Sequence, residues 1–364
     1  MDKKIKINDT IVIGEKELTK QYVESLSYEE RKDLIEPIFK YMRKYGFPKP
    51  DKNIDLNQEF NKLVNIKFNL NEGTLFNNSS LGNYICLYFC WNIFYSCTDK
   101  KSKNKLNLSV MDVFYDDEKL KSLIFNRLGG DWFIETVDKK TGNTLPPVNE
   151  AFRITPQQMI TGARSKRLAP SISMFKPTIA KFIYQKYSQE GDTVFDYSAG
   201  FGGRLLGAMS CNRKYIGVDP LTISSLNNMV EYFQFQNVQL IDGESENVNL
   251  GESTIDFSFS SPPYYDQEFY SKNLTQAYNK GREYFYDVYW KKTLENIKIM
   301  LKPNKYFGLN ILNKYTQMID MAKEQFGEPI EIVSLRTVRS HLTKNKNTGT
   351  EKYEPVFIFR NIKE

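Results

Sequence analysis

The second half of the chain alternates short apolar runs with longer amphipathic segments. The runs have the length and the β-branched and aromatic content of buried strands, and the segments between them repeat apolar residues at helical spacing. The predicted strands are Thr193–Asp196, Tyr215–Asp219, Val238–Ile241, Ile255–Ser260, Tyr306–Leu312, Glu331–Leu335 and Pro355–Arg360. The predicted helices are Thr178–Tyr187, Gly203–Met209, Ser224–Phe235, Tyr284–Leu301 and Tyr315–Phe326. This alternation predicts an α/β fold, in which helices cover both faces of a seven-stranded, mostly parallel sheet.

The first half has a mixed, mainly helical pattern. The segment Ser27–Glu30 has the sequence of a capping box, which predicts a helix that runs to about Tyr45 and stops at Gly46. Residues 71–78 are rich in turn-forming types and are predicted to form a loop.

The end of this region is marked by a predicted hairpin. The segment Phe133–Val137 has the composition of a strand, and a turn follows it. Pro146 and its neighbouring proline then interrupt the pattern. We therefore predict a domain boundary there, with residues 1–150 in one region and residues 151–364 in the other.

Composition and charge indicate which kinds of partner, metal site and membrane contact to expect. The chain has 364 residues, a formal net charge of +6 and 14% aromatic residues. The charge suits a polyanionic partner, although a soluble enzyme with a slightly basic surface would have the same balance. Four cysteines without metal-ligand spacing and a single histidine, His341, favour a protein that binds no metal. With no apolar stretch behind Met1 and none of membrane-spanning length, we expect a cytoplasmic protein without membrane contact.

The most informative motif is Ser261-Pro262-Pro263-Tyr264, at the end of the apolar run Ile255–Ser260. Two prolines fix the direction of the backbone and leave carbonyl groups and the serine hydroxyl free to accept hydrogen bonds. Tyrosine adds an aromatic face. This proline hook (residues 261–264) can hold an exocyclic amino group and stack on the ring that carries it.

Upstream, a glycine loop follows another predicted strand. The strand Thr193–Asp196 leads into Ala199–Gly203 and then into a helix, which is the start of a nucleotide-binding βαβ unit. The next strand ends at Asp219, and an acid at that spacing typically accepts hydrogen bonds from ribose hydroxyls. A glycine loop alone would be a weak signal, but here the loop, the acid and the hook follow one another at three strand ends.

From about Lys176 to Arg360, the chain resembles the family of DNA amino-methyltransferases, which modify the exocyclic nitrogen of cytosine or adenine. The segment Asp196–Gly202 is similar to the family's cofactor loop, with Tyr197 and Ser198 where proline and phenylalanine are usual, and the hook is similar to its catalytic motif. The resemblance assigns S-adenosylmethionine binding to Phe175, Lys176, Pro177, Asp196, Ser198, Ala199, Gly200, Gly202, Asp219, Asp242 and Glu244. It implies a Rossmann-like class I methyltransferase fold with a reversed final hairpin.

The resemblance also implies a mechanism and a substrate. The catalytic residues would be Ser261, Pro262, Pro263 and Tyr264, with Tyr264 stacked on a base that is flipped out of DNA. Methylation of a ring carbon would need a cysteine nucleophile, and Cys211 lacks that context and is predicted to be buried. Serine in the hook favours cytosine N4 as the target. Adenine N6, an RNA amino group, and a nucleic-acid-binding protein with a decayed cofactor site stay open as alternatives.

Basic residues provide candidate contacts to nucleic acid. The predicted phosphate-binding residues are Arg164, Lys166, Arg167, Arg339, Lys344 and Lys346. A plain solvated surface is the alternative for both clusters. Tyr265 and Phe269 could line the base pocket, with core packing as the alternative for Phe269. Residues 265–282 could close over the pocket or form a simple connection. For residues 1–150, DNA recognition and homodimer formation are the two roles left open.

Overall fold

The structure is a computed structural model, and it divides the chain into two compact units. It describes residues 11–50, 54–76, 79–98, 108–130, 136–137, 144–145, 155–165, 168–170, 172–265, 276–336 and 353–363. One unit comprises Met1–Ile54, Trp91–Ile172 and Gln267–Tyr270, and the other comprises Asp55–Cys90, Ser173–Asp266 and Ser271–Glu364. This division differs from the boundary predicted near residue 150, because residues 55–90 join the unit that holds the large sheet.

The elements are named in chain order. The helices are α1 (Lys20–Glu24), α2 (Tyr28–Asp33), α3 (Ile35–Tyr45), α4 (Leu56–Asn65), α5 (Asn83–Ser96), α6 (Val110–Tyr115), α7 (Asp117–Arg127), α8 (Pro156–Ser165), α9 (Pro177–Tyr187), α10 (Gly203–Met209), α11 (Ile223–Phe233), α12 (Lys291–Met300) and α13 (Thr316–Phe326). The strands are β1 (Val12–Ile13), β2 (Lys16–Glu17), β3 (Thr74–Phe76), β4 (Thr136–Val137), β5 (Thr144–Leu145), β6 (Thr193–Asp196), β7 (Lys214–Asp219), β8 (Val238–Asp242), β9 (Ile255–Ser260), β10 (Leu301–Asn310), β11 (Glu331–Arg336) and β12 (Tyr353–Arg360).

The large sheet has the order β3-β11-β12-β10-β9-β6-β7-β8 among the described residues. The strands run parallel except β12, which is antiparallel to both of its neighbours, β10 and β11. The chain returns through helices between most of the parallel strands, as parallel pairing requires. The predicted α/β class, with its Rossmann-like parallel sheet and reversed final hairpin, is confirmed.

The sheet has one strand more than predicted, and it comes from the N-terminal half. Residues 74–76 lie within the segment predicted to be a loop, but they form the edge strand β3, which pairs parallel to β11. Helix α4 lies in the same unit, where the ring of Phe60 packs 5.2 Å from Phe233 and 5.0 Å from Phe235. The prediction missed the strand because three residues beside turn-forming types give too short a pattern.

Helix α4 is also tied to α9 by a buried lysine. The Nζ of Lys181 donates to the carbonyl groups of Leu63, Val64 and Ile66 at 2.9, 2.6 and 3.0 Å. These carbonyls belong to the end of α4, where no intrahelical partner is available. Lys181 is 2% exposed, and its burial lowers its pKa. The bonds explain how residues 55–90 come to belong with the sheet.

The N-terminal capping box is confirmed. The Ser27 side chain accepts from the backbone of Glu30, whose carboxylate accepts from the Ser27 N–H at 2.7 Å. The predicted single helix is divided into α2 and α3 at Leu34, and α3 ends at Gly46, where φ is 74°. The predicted hairpin is confirmed in the described backbone, where β4 pairs antiparallel with β5.

Two boundaries near the end of the sheet differ from the prediction. The helix predicted over Tyr284–Leu301 begins with a π-helical segment, Tyr284–Trp290, before α12. Strand β10 begins at Leu301 rather than Tyr306, because an irregular pairing with β9 carries the strand through the polar segment between those residues. None of the helices in the described ranges has the length and apolar character needed to cross a membrane.

Candidate functional site

The glycine loop (Ala199–Gly203) joins β6 to α10 and is held by Asp219. Asp219 ends the neighbouring strand β7, and its Oδ2 accepts a hydrogen bond of 3.0 Å from the N–H of Gly200. Its Oδ1 accepts from the N–H groups of Leu221 and Thr222, both at 2.9 Å. Burial raises the pKa of Asp219, and these backbone donors oppose the rise. Since two carboxylate oxygens offer about four acceptor positions, Asp219 can take a further donor.

Positive φ angles shape the loop at two glycines. Gly200 has a φ of 56°, and Gly202, the N-cap of α10, has a φ of 83°. A Cβ on Gly202 would lie 2.8 Å from a methyl group of Leu226, whereas a Cβ on Gly200 would meet no atom closer than 3.8 Å. Ala199 anchors the loop by donating to the carbonyl of Val218 at 2.8 Å. The described residues therefore leave no atom close enough to overlap with a Cβ at Gly200, in contrast to Gly202.

Beneath the loop, Asp196 and Arg204 form a buried ion pair. Asp196 is fully buried, and its Oδ2 accepts from Nε of Arg204 at 2.9 Å and from the hydroxyl of Tyr215 at 2.6 Å. Its Oδ1 accepts from the N–H of Ser198 at 3.3 Å, and Arg204 donates to the Ser198 carbonyl. These bonds fix the loop from below. Direct contact between Asp196 and a cofactor stays a prediction, since the bonds that the described residues give it are internal.

The segment Phe175–Pro177 lies beside the loop because two glycines of α10 let the backbones approach. A Cβ on Gly203 would overlap with the carbonyl oxygen of Phe175, and one on Gly207 would lie 3.0 Å from the carbonyl oxygen of Pro177. Pro177 is the first residue of α9, where a missing N–H has no cost, and Lys176 is its N-cap. Burial lowers the pKa of Lys176. Two segments that are separate in the sequence thus meet, as the resemblance implies.

The residues that lead into the proline hook and into the glycine loop are bonded to each other. Strand β9, which leads into the hook, pairs parallel with β6, which leads into the loop. The Ser260 hydroxyl donates to the Ser198 carbonyl at 3.3 Å, and the Tyr197 hydroxyl donates to the Ser260 carbonyl at 3.3 Å. Pro262 is buried and Pro263 is half-buried. The buried Tyr197, at the position where the resembled family has proline, thus links the end of β6 to the end of β9 through a hydrogen bond.

Ser261 and Tyr264 of the hook each contact a residue that follows β9 in the chain. The Ser261 hydroxyl lies 2.5 Å from Oδ1 of Asn310, the last residue of β10. The ring of Tyr264 stacks on Tyr315, with centroids 4.6 Å apart and planes at 12°. The ring of Tyr265 packs 5.5 Å from that of Phe285, and its place in a base pocket stays a prediction. The stack fixes the plane in which Tyr264 presents its ring.

A group of acidic residues lies at the end of β8 and just beyond it. Glu244 accepts a hydrogen bond of 3.0 Å from the N–H of Ala277, and burial, with a smaller contribution from Glu246, raises its pKa to about 7. Glu246 is 2% exposed and accepts from the hydroxyl of Tyr284 at 2.9 Å. Asp242 is exposed and is in register with Asp219 across β7 and β8. Glu244 is therefore the less exposed of the two predicted adenine-binding acids.

The predicted nucleic-acid contacts lie largely outside the described residues. These are Lys166, Arg167, Arg339, Lys344 and Lys346, together with Phe269 of the predicted pocket. Arg164 is described, and its guanidinium lies 4.7 Å from the ring centroid of Phe94 and 5.4 Å from that of Tyr95. Burial lowers the pKa of Arg164, and its Nε and Nη2 atoms have no hydrogen-bond partner within the described part of the chain. Its binding to phosphate stays a prediction.

Sequence reasoning missed Arg204, Asn310 and Tyr315. Arg204 is a charged residue in an otherwise apolar helix, and Asn310 is a polar residue in an apolar strand, so both carried the signal of a buried polar group that needs a partner. No comparable signal marks Tyr315. Cys211, by contrast, is buried as predicted, and burial raises its pKa to about 11.

Comparisons with known proteins give matches in structure only. No family model matches the chain, and no curated protein matches its sequence. Among solved structures, it is similar to TrmN from Thermus thermophilus, with 14% identity, a TM-score of 0.37 and coverage of 50% of this chain and 48% of TrmN, so it spans about half of that protein. A methyltransferase from Pyrococcus furiosus shows 17% identity, a TM-score of 0.35 and coverage of 51% and 83%. A protein from Clostridium thermocellum described as a putative rRNA-methylase shows 14% identity and a TM-score of 0.34, with coverage of 53% of this chain and 99% of that protein.

Proposed function

We propose that the chain is a methyltransferase that moves a methyl group from S-adenosylmethionine to the exocyclic amino group of a base in DNA. The observation that carries the proposal is the direct bonding between the two residues before the glycine loop and the end of the strand that leads into the hook. Ser260 bonds to Ser198, and Tyr197 bonds to Ser260, both at 3.3 Å. A ligand beside the loop and a base held by the hook would therefore be neighbours.

The residues around the loop fit S-adenosylmethionine. Gly200 has no side chain and a positive φ, so the loop backbone there could approach the methionine and ribose closely. Asp219 has acceptor capacity for a ribose hydroxyl, and Glu244 is a half-buried acceptor for the adenine amino group. When bound, the sulfonium supplies an activated methyl group.

The hook supplies the acceptors that an amino group requires. The nitrogen of cytosine or adenine is a poor nucleophile, because its lone pair is delocalised into the ring. Hydrogen bonds from the amino N–H groups to the Ser261 oxygen and the Pro262 carbonyl would favour a tetrahedral nitrogen with a localised lone pair. The nitrogen would then bond to the methyl carbon as the carbon–sulfur bond breaks, and it would release one proton to water. Holding the two groups in line lowers the barrier, and the protein needs no covalent nucleophile.

Cytosine N4 is the favoured target, because the resemblance of the serine form of the hook points there. Adenine N6 is the closest alternative, and an RNA amino group follows. A base in a duplex must be flipped out to reach the hook, where Tyr264 would stack on it. The stack of Tyr264 on Tyr315 supports this role, since it holds the ring in a fixed plane.

The proposal is tested by cofactor titration and by methyl transfer. Calorimetry measures binding of S-adenosylmethionine, and methyl-labelled cofactor is then incubated with duplex DNA, single-stranded DNA or RNA before digestion to nucleosides. We expect binding, with label in N4-methylcytosine from DNA. Label in N6-methyladenine or only in RNA nucleosides would select an alternative, cofactor binding without transfer would indicate a decayed site, and absence of binding would overturn the proposal.

Tyr264→Ala tests the hook within the same assays. We expect kcat/KM for the nucleic acid to fall on the order of ten- to hundredfold, as loss of base stacking predicts, with cofactor affinity unchanged. Tyr115→Ala removes a tyrosine that is 60% exposed and serves as the matched control. Equal losses of cofactor affinity and of turnover in Tyr264→Ala would contradict the assigned role.

A further inference from the structure

The orientation of the Asn310 side chain is fixed by a backbone carbonyl. Asn310 is fully buried at the end of β10, and its amide nitrogen lies 3.0 Å from the carbonyl oxygen of Pro355. A backbone carbonyl can only accept a hydrogen bond, so the NH2 group of the amide must face Pro355. The amide oxygen of Asn310 consequently faces the opposite way, toward the hook.

This orientation determines what the Ser261 hydroxyl does. Its Oγ lies 2.5 Å from Oδ1 of Asn310, and an amide oxygen can only accept. The single hydroxyl proton of Ser261 must therefore be donated to Asn310. A serine hydroxyl without such a partner could rotate and either donate or accept a hydrogen bond. The Ser261 hydroxyl has already donated its proton, so it can only accept further hydrogen bonds through its lone pairs.

We propose that Asn310 is a positioning residue that makes Ser261 an obligate acceptor and thereby selects amino groups over carbonyl oxygens. The inference rests on the proposed function. An amino group offers N–H donors to the lone pairs of Ser261, whereas the carbonyl oxygen of the corresponding oxo base would face them with lone pairs of its own. The site thus discriminates cytosine from uracil, or adenine from hypoxanthine, because the unfavourable base would leave buried acceptors unpaired.

Asn310→Leu tests the inference, because leucine has a similar volume and no acceptor. The Ser261 proton would then be free to bond to a carbonyl oxygen. We expect kcat for methyl transfer to fall on the order of tenfold. The ratio of affinities for DNA with the amino base and DNA with the oxo base at the target position should fall by a similar factor. Asn310→Asp keeps an acceptor beside Ser261 and should retain the preference for the amino base.

Asn361→Leu is the matched control. Asn361 is also fully buried and donates from its side chain to the carbonyl of Leu301, 2.7 Å away, at the opposite end of β10. It should lower stability without changing kcat per folded molecule or the ratio of affinities. Where Asn310→Leu does not fold, Asn310→Ala takes its place, because the smaller side chain leaves room for water to bond to the Pro355 carbonyl.

A double-mutant cycle separates action through Ser261 from a general effect on folding. In a Ser261→Ala background, Asn310→Leu should cause no further loss of kcat, since the hydroxyl that it positions is gone. An equal loss in both backgrounds, an unchanged affinity ratio in Asn310→Leu, or the same change in Asn361→Leu would overturn the inference. Failure of the wild-type protein to methylate any nucleic acid would instead defeat the proposed function, and the inference with it.

Discussion

At the residue scale, the loop depends on charged and polar groups that lie below it, out of contact with solvent. Asp196 and Arg204 are 0% and 4% exposed. The pair also forms hydrogen bonds with the hydroxyl of Tyr215 and with the backbone N–H and carbonyl of Ser198. Burial alone would lower the pKa of Arg204, but the charge of Asp196 leaves that pKa above its usual value. In a buried ion pair of this kind, the loss of one partner strongly destabilises the fold, because the other charge is left buried without compensation.

Removing one member of the pair should therefore be costly. Arg204→Met leaves the Asp196 carboxylate buried without its cation, and we expect the free energy of unfolding to fall by about 3–5 kcal/mol. Urea denaturation followed by circular dichroism measures the change. The double variant Asp196→Asn/Arg204→Met removes the uncompensated charge and should recover part of the loss. A change below about 1 kcal/mol in Arg204→Met would show that the pair does not hold the loop.

The raised pKa of Glu244 predicts a pH dependence of stability. The unfolded carboxyl titrates near 4.5 and the folded one at about 7, so the folded state holds its proton more strongly. As pH rises from about 4.5 to about 7, the folded state therefore loses stability relative to the unfolded state. We expect a loss on the order of 2 kcal/mol, which is less than the full shift in pKa would give, because solvent screens the partly exposed side chain. Relative to Glu244→Gln, the wild-type protein should lose stability across this window.

Urea denaturation at several pH values between 4.5 and 8 measures this difference. The matched control is Glu324→Gln, which changes an exposed glutamate of α13 and should leave the pH profile unaltered. Parallel profiles for the wild-type protein and Glu244→Gln would contradict the raised pKa. The opposite slope would show that the folded site favours the carboxylate.

At the element scale, α9 and α10 meet because α10 carries glycine where the backbones approach. The Phe175 carbonyl occupies the space that a Cβ of Gly203 would need, and this contact brings the segment before α9 to the loop. The motifs around Gly200, Asp219 and Ser261 were predictable, because each is recognised from a few consecutive residues of one strand end. The partner of Ser261 was not, since Asn310 lies 49 residues away and only strand pairing brings it near.

Gly203→Ala tests this close approach. A methyl group would overlap with backbone atoms, which cannot move aside as a flexible side chain can, so we expect a loss of about 1–3 kcal/mol or more in unfolding free energy. Affinity for S-adenosylmethionine should fall as well, because the segment Phe175–Pro177 is displaced. Gly73→Ala is the control, since its Cβ would meet no atom within 4 Å and it has no positive φ. Equal stabilities of the two variants would refute the close packing.

At the scale of the whole molecule, the sequence predicted most strands of the large sheet but not the extent of the unit that contains it. The alternation of strands and helices after residue 176 is regular, and it predicted seven of the eight strands that the described residues form in the large sheet. Residues 55–90 lack that alternation, and their place in the unit depends on contacts across more than one hundred residues, such as those of Lys181 with the end of α4. Single-chain periodicity cannot report contacts of that range.

The fragment of residues 151–364, which the sequence predicts as the catalytic domain, should consequently fail to fold cooperatively. It lacks β3, which leaves β11 as an exposed edge, and it leaves the buried ammonium of Lys181 without its three carbonyl partners. We expect broad, low-amplitude thermal unfolding and aggregation of the fragment, and recovery of a cooperative transition when residues 1–150 are co-expressed.

The full-length variant Lys181→Met isolates the contribution of the three bonds and should lower stability while the strands remain paired. A fragment that unfolds as cooperatively as the whole chain would show that residues 55–90 are an accessory to the sheet and that the boundary near residue 150 is the correct one.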